Sequence, residues 1–173
     1  MKTRREVLQS LIISIGGGTL LSACEGVAQV IPSDSRRMRF YSEREAALVA
    51  RISDLVIPRT DTPGALDVNV PGFLDALMAD WANAQTKRNR RIELGELERL
   101  LGDEFMSAPL PEAEQLLASL DTAAFTGRPA RYGGYRSLKA LITQAYFASE
   151  AGALQEQRWV AVPGRWDPCV EIQ

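Results

Sequence analysis

The chain has 173 residues, a net charge of −2, and charged and apolar fractions of 24% and 46%, close to those of an ordinary folded domain. That balance excludes a wholly disordered chain and gives nucleic acid no clustered positive surface to bind. There is no histidine and there are only two cysteines, Cys24 and Cys169. These absences remove the commonest general base, histidine-ligated haem, iron–sulfur clusters and four-cysteine zinc sites from this chain.

The N-terminus reads as an address. Met1-Lys2-Thr3-Arg4-Arg5 leads into the apolar run Val7 to Leu21, which Gly16-Gly17-Gly18 softens, and the run meets Leu21-Ser22-Ala23-Cys24. A basic tip, a moderate apolar stretch and small residues before a cut are the layout of a secretory signal. Thr3-Arg4-Arg5 followed by Val7-Leu8-Gln9 resembles the twin-arginine consensus, with Arg4 and Arg5 as the export pair. A membrane anchor needs about 20 apolar residues, so this run serves poorly as an uncleaved span. The glycine triplet has no preceding strand and no following Gly-Lys-Ser/Thr, so it is not a phosphate loop. Leu21-Ser22-Ala23-Cys24 resembles a bacterial lipobox, which would make Cys24 the lipidated first residue of a protein anchored to the membrane in the periplasm. Ordinary cleavage near Ala23 without a lipid is the alternative. The expected division is a leader over 1–23, a tether over 24–40, a helical domain over 41–152 and an extended tail over 153–173.

Ser42-Glu43-Arg44-Glu45 is a capping box, and Leu48, Val49, Ile52, Leu55 and Val56 follow at helical spacing until Pro58. Asp61-Thr62-Pro63-Gly64-Ala65 is a turn motif, proline first and glycine next as in a type II turn. Pro71 suits the first turn of a second helix, with Phe73, Leu74, Leu77, Met78 and Trp81 as its apolar stripe. A long helix is predicted over Thr86–Met106, weakened at Gly95. Its run Lys87-Arg88-Asn89-Arg90-Arg91 reads as a solvated face, with a docking patch as the alternative. A short helix is predicted over Pro111–Leu120 and a turn-rich loop over Arg128–Gly134. A last helix is predicted over Tyr135–Glu150, ending near Gly152, with Leu138, Leu141, Ile142, Ala145 and Tyr146 inward. The expectation is an all-α fold of about five helices in one irregular bundle with an extended C-terminal tail. A domain of about 150 residues buries close to 70% of its unfolded surface and needs no disulfide.

Asp54, Asp61, Asp67, Asp75 and Asp80 could in principle do acid–base work, but they fall where Asp caps helices and shapes loops. No Gly-x-Gly-x-x-Gly follows the leader and no Cys-x-x-Cys-His occurs, so neither a dinucleotide fold nor attached haem c is encoded. No catalytic, cofactor-binding or metal-ligating residue is therefore expected. The segment Gln155–Gln173 carries Trp159, Pro163, Gly164, Trp166, Pro168 and Cys169; prolines block a helix there, yet it is too apolar for a free tail. Trp159, Pro163, Gly164, Trp166 and Cys169 are candidate partner contacts, with packing of both tryptophans on the chain's own helices as the alternative. With Cys24 consumed by lipid, Cys169 would be a lone thiol in an oxidising compartment. It is a candidate for a disulfide to a partner subunit, against a buried inert thiol or a Cys169–Cys169 homodimer.

Several segments in order carry a family resemblance. They are Asp54-Leu55-Val56-Ile57-Pro58, Thr60-Asp61-Thr62-Pro63-Gly64-Ala65, Val70-Pro71-Gly72-Phe73-Leu74-Asp75, Tyr146-Phe147-Ala148-Ser149-Glu150 and Val162-Pro163-Gly164-Arg165-Trp166-Asp167-Pro168-Cys169. Together they resemble the gluconate 2-dehydrogenase subunit 3 family, the small subunits of membrane-bound sugar and alcohol dehydrogenases, over about Ser42 to Cys169. The resemblance implies a chain without a cofactor. It implies a large FAD-containing partner of the glucose–methanol–choline type and, where present, a cytochrome c subunit. It also implies that the leader takes the folded partner through the twin-arginine translocase. The other readings are an independent periplasmic lipoprotein, serving as a helical binding or scaffold module, and a carboxylate-based hydrolase.

Overall fold

The computed structural model describes residues 38–126 and 129–160. Among these the chain is helical, with no strand. Helix α1 (Glu43–Val56) starts on the expected capping box. The Ser42 side chain accepts the Glu45 N–H at 3.3 Å, and Glu45 accepts the Ser42 N–H at 2.8 Å. Leu48, Val49 and Ile52 are buried, as their spacing requires, and the buried Ser53 hydroxyl donates to the Val49 carbonyl at 2.7 Å. After Pro58 the loop returns on itself, with the Ala65 N–H donating to the Ile57 carbonyl at 2.9 Å. Gly64 lacks the positive φ that a type II turn demands of its third residue. Its role is closeness: a Cβ there would lie 2.6 Å from the Arg59 nitrogen and 2.8 Å from the Pro58 carbonyl carbon.

Helix α2 (Val70–Ala76) is capped by Asn69, whose side chain accepts the Gly72 N–H at 3.2 Å, and Pro71 occupies the first turn as expected. It runs on into a π-helical turn, Leu77–Trp81, closed by the Ala82 N–H on the Leu77 carbonyl at 3.2 Å. Leu74 and Met78 are buried, but Phe73 and Trp81 are exposed, which corrects the stripe read from the sequence. The wider turn carries an extra residue and rotates Trp81 off the Leu74–Met78 line.

Helix α3 (Ala84–Leu101) begins at the Asn83 cap and stops at Gly102, whose φ of 81° favours glycine, so it ends before the expected Met106. Nothing lies near a Cβ at Gly95, and the helix passes through it unbroken. Helix α4 (Leu110–Thr126) is longer than its apolar pattern suggests. Its last turns carry Thr122 and Thr126, whose hydroxyls donate back to the Ala118 and Thr122 carbonyls.

The segment expected to be a loop is instead a 3-10 turn (Pro129–Tyr132) running into helix α5 (Gly133–Phe147). Gly134 lets α5 approach α3, since a Cβ there would lie 2.8 Å from the Glu93 Cβ. Helix α5 is the spine of the bundle: Tyr135, Leu138, Ile142, Ala145 and Tyr146 are buried, and it packs on α1, α2, α3 and α4. A second π-helical turn, Gly152–Glu156, follows.

Candidate partner-binding surface

The sequence places the candidate contacts at the C-terminal end, and the local structure there starts from Gly152. Any side chain at this position would collide with the backbone of α5, because a Cβ would lie 2.2 Å from the Tyr146 carbonyl oxygen and 2.9 Å from the Phe147 Cα. The Ser149 hydroxyl donates to the same carbonyl at 2.6 Å and accepts the Gly152 N–H at 3.2 Å. The turn that follows is fastened to the Pro58–Leu66 loop. Tyr146 donates its hydroxyl to the Pro63 carbonyl at 2.7 Å, and the Thr62 hydroxyl donates to the Glu156 carboxylate. Arg158 takes a left-handed conformation (φ 48°), and the Trp159 N–H closes back onto the Ala153 carbonyl at 2.9 Å. Trp159 is thereby held at its backbone while its ring stands out, 58% exposed, beside Val160 at 64%. Leu154 of the turn and Leu66 of the fastened loop are also exposed. Pro163, Gly164, Trp166 and Cys169, like Arg4, Arg5 and Cys24, lie outside the described residues.

The basic run on α3 is not a wholly solvated face. Arg90 is buried: its Nη1 lies 3.0 Å from the Glu93 carboxylate, its Nη2 donates to the Ser137 hydroxyl at 3.0 Å, and its Nε has no hydrogen-bond acceptor among the described residues. Arg91 lies over the Phe40 ring at 4.7 Å, donates to the Phe40 carbonyl at 2.7 Å and meets Glu45 at 3.1 Å. Lys87 donates to the Ala79 carbonyl at 2.8 Å. No spacing in the sequence separates the buried Arg90, or the half-exposed but engaged Arg91, from the exposed Arg88.

Of the candidate aspartates, Asp67, Asp75 and Asp80 have structural partners rather than each other. Asp67 accepts from Arg59 and from the Gly64 N–H, and those bonds hold its carboxyl below the usual range. Asp80 pairs with Arg39, which lowers it likewise. Asp75 is buried within α2 and accepts three backbone N–H groups, from Arg39, Phe40 and Tyr41, at 2.8–2.9 Å. It is neither a cap nor a loop residue, and no local pattern distinguishes it from other helix carboxylates.

A further cluster lines a groove of about 210 Å³ between α1, α4 and α5. There Asp121 accepts from the Tyr135 hydroxyl at 2.7 Å and from Lys139 at 2.5 Å. Burial pushes the Asp121 carboxyl up, but the bonds from Lys139 and Tyr135 outweigh it and leave it below its ordinary value. Burial and the Asp121 bond push the Tyr135 hydroxyl well up, so near neutrality Asp121 stays ionised and Tyr135 stays protonated. Among the described residues no group of three metal-ligating side chains comes together, and no helix is long and apolar enough to cross a membrane.

The arrangement is that of a small helical body presenting a fixed aromatic edge. Searches of curated proteins and of solved structures returned no match. A family model, gluconate 2-dehydrogenase subunit 3, matches residues 43–164, from the first residue of α1 to four residues beyond Val160. That span covers well over half of the chain, and the chain belongs to the gluconate 2-dehydrogenase subunit 3 family.

Proposed function

We propose that this chain is the non-catalytic small subunit and twin-arginine export escort of a periplasmic dehydrogenase. Its large partner holds FAD, is of the glucose–methanol–choline type and oxidises a sugar or an alcohol. Family membership supports the coarser part, an accessory subunit of a dehydrogenase, and is the observation that carries the reading. The Arg4-Arg5 leader supports the escort role, because such a signal serves cargo that folds before export. A lipid on Cys24 would place the complex at the membrane. Electrons leaving the flavin would pass to a cytochrome c subunit where one is present. The exposed Trp159–Val160 edge supports the C-terminal segment as the docking element, since tryptophan dominates interface hot spots.

Native co-purification from the source membrane, followed by a flavin absorbance scan, tests the reading. The expected result is a complex of this chain with a large flavoprotein. A chain recovered alone, without flavin, would support the independent lipoprotein instead.

A further inference from the structure

Where the chain enters the bundle, three consecutive residues, Arg39, Phe40 and Tyr41, are fastened by side chains from three different elements. The backbone N–H of Arg39 donates to Asp75 Oδ2 at 2.8 Å, and those of Phe40 and Tyr41 donate to Asp75 Oδ1 at 2.9 Å each. The Arg39 guanidinium forks onto both oxygens of Asp80, at 2.7 and 2.6 Å, in the π-helical turn after α2. From α3, Arg91 covers the Phe40 ring and holds its carbonyl, while its other arm meets Glu45 in the first turn of α1. Phe40 and Tyr41 are buried, and Met38 packs against the core.

The chemistry of this clasp is unusual in one respect. A carboxylate accepting three backbone N–H groups is a charge-assisted arrangement that an extended four-residue segment cannot supply for itself. Its acceptor stands 34 to 36 residues downstream. The clasp therefore has no local substitute. Before α1, α2 and α3 pack together, Asp75 is not in reach and residues 38–41 have nothing to hold them.

We propose that Met38–Tyr41 is a latch that closes only on the assembled bundle and ties the upstream leader-bearing segment to α2 and α3 once the domain has folded. When closed, it hides Phe40 and Tyr41 and the peptide bond after Arg39, and it fixes where the tether leaves the body. When open, it lengthens the tether by four residues, roughly 14 Å of extended chain, and bares two aromatic side chains beside the basic Arg39. The latch stands whether or not the upstream segment is an export leader, and its test does not involve export.

Hydrogen exchange on the full chain, read by mass spectrometry with limited trypsin digestion, provides that test. Asp75→Asn weakens the triple acceptor; Arg91→Ala removes the cover from α3 at a position that is itself half exposed. Each variant is expected to speed exchange at the Arg39, Phe40 and Tyr41 amides by about tenfold or more. Each should also open the bond after Arg39 to trypsin while the Leu138 and Ile142 amides keep their protection. Two results would overturn the proposal. One is free exchange at residues 39–41 in the unaltered chain. The other is acceleration of the α5 amides in step with residues 39–41, which would make the segment an inseparable part of the core. Should Asp75→Asn fail to fold, Arg91→Ala decides the question by the same readings.

Discussion

Replacing Trp159 by alanine separates binding from folding, because the two roles of a tryptophan differ in size here. The side chain is 58% exposed, so only about two-fifths of its surface rests on the chain. A fully buried Phe or Trp cut to Ala destabilises a core by about 3–5 kcal/mol, and a two-fifths share with no enclosed cavity comes to roughly 1 kcal/mol. For a domain of this size that lowers Tm by about 3–5 °C. As an interface anchor the same residue contributes about 2 kcal/mol or more, which weakens Kd roughly 30-fold. Leu138→Ala is the contrasting variant. Leu138 is fully buried in α5, and its truncation removes about 2–5 kcal/mol of stability. The assay is reconstitution with the purified large subunit, Kd by titration and Tm by calorimetry on each variant. Trp159→Ala should lose the complex with little change in Tm, and Leu138→Ala should lose Tm first. A Trp159→Ala chain that melts as early as Leu138→Ala yet binds normally would refute the placement of Trp159 at the interface.

Gly152→Ala forces a Cβ against the Tyr146 carbonyl and is expected to destabilise by about 1–3 kcal/mol, with weaker partner binding because the same turn positions Trp159. Gly95→Ala, which meets nothing and lies mid-helix, should raise stability by about 0.5–1 kcal/mol; thermal melts of both variants check the pair, and equal shifts would refute it. Burial pushes the Tyr41 hydroxyl up to about 12; Arg90 opposes the shift, and the charges of Asp75 and Glu45 add to it. A group raised in the folded state contributes stability that is complete below its unfolded value, 10.0, and is lost as pH rises toward 12. Tm should therefore fall across that window and fall less in Tyr41→Phe, whereas a flat profile would contradict the burial of this hydroxyl. Mass spectrometry of the mature chain is expected to find an acylated Cys24 at its start. Non-reducing electrophoresis of the complex is expected to show a band at the summed mass of both subunits that is absent in Cys169→Ser, and a chain migrating alone would refute the Cys169 bridge.

The helices were legible where short-range chemistry decides them. The Ser42–Glu45 box, Pro71 in a first turn, and the buried positions of α1 and α5 follow from capping and from the 3.6-residue period. What escaped depends on partners distant in sequence or on departures from that period. Both π-helical turns leave no periodic trace, and one of them turned Trp81 outward. Gly133 and Gly134 read as loop because glycine usually punctuates, but Gly134 is there for the close approach of α3. Asp75 looks like any other helix carboxylate until residues 39–41 are laid against it. Arg90 and Arg91 sit in a run whose composition suggests solvent; the packing of α3 on α5 buries Arg90, and the Phe40 segment engages Arg91 while leaving it half exposed. At the candidate surface, the apolar content of the tail pointed to a contact. The exposure of Trp159 came from the Arg158 turn and the Gly152 approach, which no local pattern announces.

The escort role is tested most directly by fractionating cells that carry Arg4→Lys with Arg5→Lys and following both this chain and the large flavoprotein. Loss of both from the periplasm, with the flavoprotein folded and FAD-loaded in the cytoplasm, is the predicted result. A flavoprotein that still reaches the periplasm in full would contradict the account.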